Sequence, residues 1–205
     1  VEATKAAYAH SFVVLAASAA TVLGRPGASA LLADALGVID TRFWDESAGL
    51  VRESFDRSFT TTESYRGINA NMHMVEAFLA AADATGDDLW LNRAVRMTEL
   101  AVHRFARGND WRLPEHFTPE WVPLPDYNRE DPTHKFRPYG STIGHWMEWA
   151  RLTLQVRAAL EVRGRSAPDW TLADPIALFD QAVHQGWAAD GSPGFVYTID
   201  WDGTP

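Results

Sequence analysis

The chain has 205 residues and a formal net charge of −9, and its basic residues are scattered, which argues against a nucleic-acid-binding surface. Nearly half of the residues are apolar, but no apolar run is long enough to cross a membrane. The absence of cysteine excludes disulfides and thiolate metal sites. We therefore expect one sizeable domain with a hydrophobic core that binds neither nucleic acid nor membrane.

Helical patterns dominate the chain from its beginning. Apolar stretches end at glycine-containing turns, such as residues 24–27 and 85–87. The patterns predict six helices, at about residues 4–23, 28–43, 69–85, 87–107, 142–163 and 173–187. These helices form three hairpins separated by long polar and aromatic loops. The tail, GSPGFVYTIDWDGTP, alternates in polarity like a short β-hairpin.

A weak internal repeat supports the pairing into hairpins. AHSFVVLAASAATVLG, NMHMVEAFLAAADATG and IGHWMEWARLTLQVRAALEVRG each place a histidine near the start of an apolar helix that ends at glycine. These histidines are His10, His73 and His145, which are 63 and 72 residues apart. Stacked hairpins are typical of a solenoid or a closed toroid of paired helices. In a toroid the inner helices are apolar on every side, and only their ends reach the cavity.

Two helix starts carry residues suited to acid–base chemistry. Asn69, His73 and Glu76 share one helical face, and a second set comprises His145 and Glu148. Asn69 and Thr142 are expected as N-caps, which places both histidines close to a positive helix terminus. That terminus disfavours imidazolium, so we expect neutral rings that can act as general bases.

Other interpretations of the histidines are open at this point. A single histidine in an apolar helix is more often a hydrogen-bonded core residue. Two His-x-x-Glu sets at matching places in two repeats weaken that interpretation. A shared metal ion is a further alternative, but carboxylate-bridged di-iron bundles use the reverse order, Glu-x-x-His, with additional glutamates. We therefore predict no metal site.

The loop WRLPEHFTPEWVPLPDYN combines aromatic rings with carboxylates and an amide, among them Glu115 and His116. Aromatic faces beside carboxylates suit sugars, which have CH-rich faces and rings of hydroxyls. Alternatively, the aromatic and proline residues only pack a long loop onto the helices. We expect His103, His134 and His184 to be surface or packing residues.

Four segments together resemble the N-acylglucosamine 2-epimerase superfamily: YRGINANMHMVEAFLAAAD, RLPEHFTPEWVPLPDYN, FRPYGSTIGHWMEWARL and GFVYTIDWDG. They are most similar to its branch of aldose–ketose isomerases acting on mannose and sulfoquinovose. The resemblance implies an all-α fold, an (α/α)6 barrel of six helical hairpins, of which this chain supplies about three. Residues 1–205 are then a single domain that forms an internal part of a larger barrel.

The resemblance implies a cytoplasmic enzyme that moves a proton between carbon-1 and carbon-2 of a ring-opened monosaccharide through a cis-enediol, without a cofactor. The implied catalytic residues are His145, Glu148 and His73. The implied substrate-binding residues are Tyr8, Asn69, Glu115, Arg137 and Trp201. A sugar 2-epimerase or a non-catalytic carbohydrate-binding scaffold are the alternatives.

The resemblance also shows where the pattern is incomplete. The family's other catalytic histidine falls beyond the last residue of this sequence, and an arginine that contacts the sugar falls before the first. Half of the cavity would then be absent from a chain acting alone, and we expect such a chain to be inactive. Exposed flanks of the inner helices would also favour self-association.

Overall fold

All six predicted helices are present in the computed structural model, which describes residues 3–205. Helix α1 spans Ala7–Val22, α2 Ala28–Val38, α3 Ile68–Thr85, α4 Asp88–Thr98, α5 Ile143–Val162 and α6 Trp170–Gly186. Helix α2 continues in π-helical geometry through Ile39–Phe43. Helix α4 continues likewise through Glu99–Ala106 and ends in a 3-10 turn at Arg107–Asn109. With these extensions, the predicted bounds hold to within three residues.

Short strands lie at the helix starts and in the loops of the described residues. They are β1 Lys5–Ala6, β2 Trp44–Asp45, β3 Leu50–Val51, β4 Ser54–Phe55, β5 Arg66–Gly67, β6 His116–Phe117, β7 Ser141–Thr142 and β8 Thr198–Ile199. The pairs β1–β4, β2–β3 and β7–β8 are antiparallel. At the start of the tail, Phe195 forms a local antiparallel bridge with Trp187, as expected of a hairpin. Strand β8 instead pairs with β7, far away in sequence, and fixes the start of α5.

Backbone contacts divide the chain into one unit that ends at Met97 and another that runs from Thr98 to Pro205. In the first unit, α1 packs against both α2 and α3. The buried face of α1 is mostly small, which lets the helix backbones approach closely; it comprises Ala7, Ser11, Val14, Ala17 and Ser18. Helix α3 is buried on most sides, as predicted for an inner helix, and ends at Gly86, whose left-handed φ of 72° suits glycine.

Asn71 joins α3 to the preceding loop. Its side chain is fully buried, and its Oδ1 accepts the backbone N–H of Val51 at 2.8 Å. Its Nδ2 donates to the carbonyl of Gly67 at 2.9 Å and to that of Val51 at 3.3 Å. Because buried polar groups are costly without partners, these bonds stabilise the pairing of loop and helix.

In the second unit, α5 packs against α6, and residues 99–106 contact both helices. The core of α5 includes Trp146, which is fully buried and whose indole N–H donates to Ser141 Oγ at 2.7 Å. The hydroxyl of Ser141 in turn donates to the carbonyl of Leu113. The loop, strand β7 and the first turns of α5 are therefore held together by buried hydrogen bonds.

A buried carboxylate on α6 is the partner of His103. Asp174 is almost fully buried, and its Oδ2 lies 2.6 Å from His103 Nδ1. The ring of His103 stacks on Trp170 with centroids 5.4 Å apart. These contacts are those of a surface or packing residue, as expected for His103.

None of the helices within residues 3–205 combines the length and the apolar character that a bilayer-spanning segment requires. The assignment of residues 1–205 to one domain stays a prediction.

Candidate active site

The two predicted helix starts are built differently. Thr142 occupies the N-cap of α5 with extended backbone angles, as predicted, although its side chain makes no capping hydrogen bond. The predicted N-cap at Asn69 is wrong, because Gly67 of β5 precedes the first helical residue of α3. The extended strand β5 leads directly into the helix, so Asn69 lies inside the first turn.

His145 is the third residue of α5 and is bonded to Glu115, from the loop thirty residues earlier. Its Nδ1 lies 2.9 Å from Glu115 Oε2, and Glu115 Oε1 accepts the N–H of Thr142 at 3.1 Å. A carboxylate can only accept hydrogen bonds, so Nδ1 carries the proton in this pair. The second ring nitrogen, Nε2, is then the atom that can take up a proton.

The electrostatics of His145 differ from the sequence-based expectation. Burial disfavours the charged ring, but the negative charge of Glu115, its hydrogen bond and the charge of Glu148 together raise the pKa of His145 above 6.5. The prediction that the helix terminus dominates and keeps the ring neutral is therefore wrong in direction. A carboxylate in direct contact outweighs the weaker field of the helix end.

Protein stability should depend on the ionisation of His145. Since its folded pKa lies above the unfolded value of 6.5, the ring contributes stability that is fully present below pH 6.5 and is lost as the pH rises through the folded pKa. We expect the difference in unfolding free energy between the wild type and His145→Asn to be largest at acid pH. Urea denaturation of both proteins between about pH 5 and pH 9 measures it.

Using this difference removes most of the contribution of His116 to the pH dependence, which has the opposite sign. Burial lowers the pKa of His116 below 6.5, so its ring costs stability as the pH falls. The part of that cost caused by burial, its main cause, is common to both proteins and cancels; the smaller part caused by the charge of His145 is absent from the variant. A difference that stays constant across the pH range would contradict the ion pair between His145 and Glu115.

Glu148 lies one turn after His145 and is half-buried. Its Oε1 is 3.8 Å from Arg151 Nη2, a separation typical of a loose ion pair. Its charge helps to raise the pKa of His145, while the hydrogen bond to the ring comes from Glu115. The catalytic role of Glu148 stays a prediction.

His116 follows Glu115 directly; it belongs to the loop that the sequence marks as suited to sugars, but it was not among the predicted site residues. It is almost fully buried, and its Nε2 donates to the carbonyl of Pro138 at 2.8 Å. Burial is the main cause of its lowered pKa, and the nearby positive charges of Arg137 and His145 act in the same direction. The structure therefore brings Arg137, His116, Glu115 and His145 into one neighbourhood. Adjacency to Glu115 was the signal that could have found His116.

Trp201 borders a cleft of about 520 Å3 together with Arg112, Glu115 and His116. Its indole N–H donates to the carbonyl of Pro125 at 2.7 Å, and its own carbonyl accepts a hydrogen bond from Arg112. His145 bonds to Glu115 but does not line this cleft. Glu115 thus borders the cleft beside Trp201 and also bonds to His145.

The remaining predicted residues gather in the first unit. The ring of His73 contacts Tyr8 edge-on at 5.1 Å and Phe12 at 5.0 Å. His73 Nδ1 lies 3.6 Å from Glu76 Oε2, which is too far for a hydrogen bond. Within residues 3–205, this nitrogen has no hydrogen-bond partner. Tyr8 is 42% exposed and Asn69 is half-buried. An imidazole, a phenol and an amide are therefore available for polar contacts.

Comparisons with known proteins agree with this picture. A family model described as N-acylglucosamine 2-epimerase (GlcNAc 2-epimerase) matches residues 1–205. The chain is similar to the D-mannose isomerase of Thermobifida fusca, with 55% identity over 204 residues that cover 100% of this chain and 49% of that protein. It is 54% identical to the D-mannose isomerase of Pseudomonas cannabina pv. alisalensis over 98% of this chain and 49% of that protein.

Among solved structures, a crystal structure of D-mannose isomerase matches with a TM-score of 0.89 and 35% identity, over 98% of this chain and 50% of that one. The chain thus spans about half the length of the relatives that it matches. The predicted fold class is confirmed: the chain is all-α, with helical hairpins of the kind found in (α/α)6 barrel epimerases and isomerases.

Proposed function

Because the chain belongs to the N-acylglucosamine 2-epimerase family, we propose that it carries part of the active site of an aldose–ketose isomerase that acts on a mannose-like sugar. The observation that carries the proposal is the pair of His145 and Glu115 at the start of α5. It occurs in a chain that shares more than half of its residues with proteins named D-mannose isomerase.

The reaction needs a base that removes a proton and an acid that returns one. In the proposed step, Nε2 of His145 takes the proton from carbon-2 of the open-chain aldose. The electron pair of the broken C–H bond forms the double bond of the enediol, and the carbonyl oxygen at carbon-1 gains a proton. Return of a proton to carbon-1, with loss of the proton on the carbon-2 hydroxyl, gives the ketose. No electrons enter or leave, so the residues need only move protons.

We also propose roles for the other residues that the sequence predicted in the site. Glu148 and His73 are proposed as further groups that transfer protons or bind hydroxyls. The proposed sugar contacts are Tyr8, Asn69, Arg137 and Trp201, whereas Glu115, predicted as a fifth contact, is bonded to His145. Supporting this, Tyr8 and His73 are in contact, and Arg137 lies close to His116.

A 2-epimerase is the second candidate, because the matching family model is described by that activity. Both reactions begin with removal of the proton at carbon-2. They differ in whether a proton returns to carbon-1 or to the opposite face of carbon-2. The relatives named D-mannose isomerase favour the first outcome.

We also propose a cellular location and a ligand for the enzyme. We place it in the cytoplasm, with a monosaccharide as its substrate and without a nucleic-acid or membrane partner. The net charge of −9 is consistent with the absence of a nucleic-acid partner. Self-association and independence from cofactors stay predictions.

Proton NMR of D-mannose in heavy water, incubated with the protein in its full native length, tests the proposal. Fructose that carries deuterium at carbon-1 is the expected product. Glucose labelled at carbon-2 would identify the epimerase instead. Unchanged mannose would contradict both activities on this sugar and would favour a binding role.

A further inference from the structure

Glu115 is more deeply buried than a sugar-binding carboxylate needs to be. Its side chain is 4% exposed, and its two oxygens each have a partner on the start of α5. Oε1 accepts the N–H of Thr142, and Oε2 accepts the proton on His145 Nδ1. Buried charges in proteins are normally paired in this way, because an unpaired one is costly.

We propose that Glu115 is a positioning residue that holds His145 as the tautomer with a proton on Nδ1, so that Nε2 is the base for the sugar proton. The inference rests on the proposed function for its catalytic meaning. It assigns Glu115 a role within the protein rather than the predicted direct contact with the sugar. A carboxylate behind an imidazole sets both the tautomer and the orientation of the ring.

The neighbours of Glu115 hold it rigidly in this place. Two residues before it, the carbonyl of Leu113 accepts the hydroxyl proton of Ser141, which is itself bonded to Trp146. Directly after it, His116 donates to the carbonyl of Pro138. The backbone on both sides of Glu115 is thus tied to the segment that leads into α5. These hydrogen bonds therefore hold Glu115 at a fixed distance from His145.

The variant Glu115→Gln separates positioning from packing, because it keeps the size of the side chain. Its amide oxygen can still accept the N–H of Thr142, but its NH2 group then donates to His145 Nδ1. The ring must carry its proton on Nε2, which can no longer act as the base. By analogy with general acid–base and triad residues, we expect kcat to fall about 10²–10⁴-fold, with a smaller change in KM.

The deciding measurement is the tautomer of His145, read from its ring 15N shifts by long-range proton–nitrogen NMR above the titration midpoint. His145→Ala assigns the signals. The wild type should show a protonated Nδ1 and an unprotonated Nε2, and Glu115→Gln the reverse. Glu120→Gln makes the same chemical change at an exposed position of the same loop and should alter neither the tautomer nor the kinetics.

Each result decides the inference. A wild-type ring with its neutral proton on Nε2 would overturn it even if no variant folds. An unchanged tautomer in a folded Glu115→Gln protein, or unchanged kcat despite a changed tautomer, would overturn it as well. Absence of isomerisation in the wild type would instead refute the proposed function, while the wild-type tautomer would still show whether Glu115 positions the ring.

Discussion

Replacing His145 by alanine is expected to lower kcat for aldose–ketose isomerisation by about 10³-fold, since a positioned general acid–base group contributes about 10²–10⁴-fold. The ring is bonded to Glu115 through Nδ1, which leaves Nε2 as its only site for proton transfer. The measurement is the initial rate of ketose formation over a range of sugar concentrations. KM should change much less than kcat if the ring acts mainly in the transition state.

Alanine also removes a partner of the buried Glu115, so lost stability must be separated from lost chemistry. His145→Asn provides this separation, because its amide can still donate to Glu115 but cannot act as a base. We expect it to be as inactive as His145→Ala and closer to the wild type in unfolding free energy. His184→Ala, at an exposed position of α6, is the matched control and should keep full activity. Near-normal turnover by a folded His145→Asn protein would refute the assignment.

The helices could be predicted from sequence because their determinants are local. Apolar spacing and the glycine turn at Gly86 defined α3, and the histidine-containing repeats correctly marked the first, third and fifth helices. The repeat did not give each histidine the same role. His10 is half-buried; its Nδ1 bonds to the carbonyl of Ala6, and its ring packs on Phe43, so these contacts are structural.

The partner of His145 could not be predicted, because it depends on the path of a long loop. Glu115 was expected to contact the sugar, and nothing local in the sequence indicates that it turns toward α5. The nearby His-x-x-Glu spacing instead pointed to Glu148 as the carboxylate that acts together with His145. The tail shows the same limit: the alternation around Thr198–Ile199 predicted a strand, but not its pairing with Ser141–Thr142.

The first turns of α3 show how similar residues acquire different roles. Asn69 and Asn71 are two positions apart, so they point to different sides of the helix. Asn71 is fully buried and bonded to the backbone of Val51 and Gly67, whereas Asn69 is half-buried near the helix start. We expect Asn71→Ala to lower the unfolding free energy by roughly 1–3 kcal/mol, because the N–H of Val51 loses its partner inside the protein.

Asn69→Ala is the matched control, since it makes the same chemical change in the same turn. Its unfolding free energy should stay within about 0.5 kcal/mol of the wild type, as for most partly exposed positions. Its KM for the sugar should rise, because Asn69 is proposed to contact substrate. Urea denaturation and steady-state kinetics of the two variants measure both effects. Equal losses of stability would contradict the structural role of Asn71, because burial and backbone hydrogen bonds are what distinguish it from Asn69.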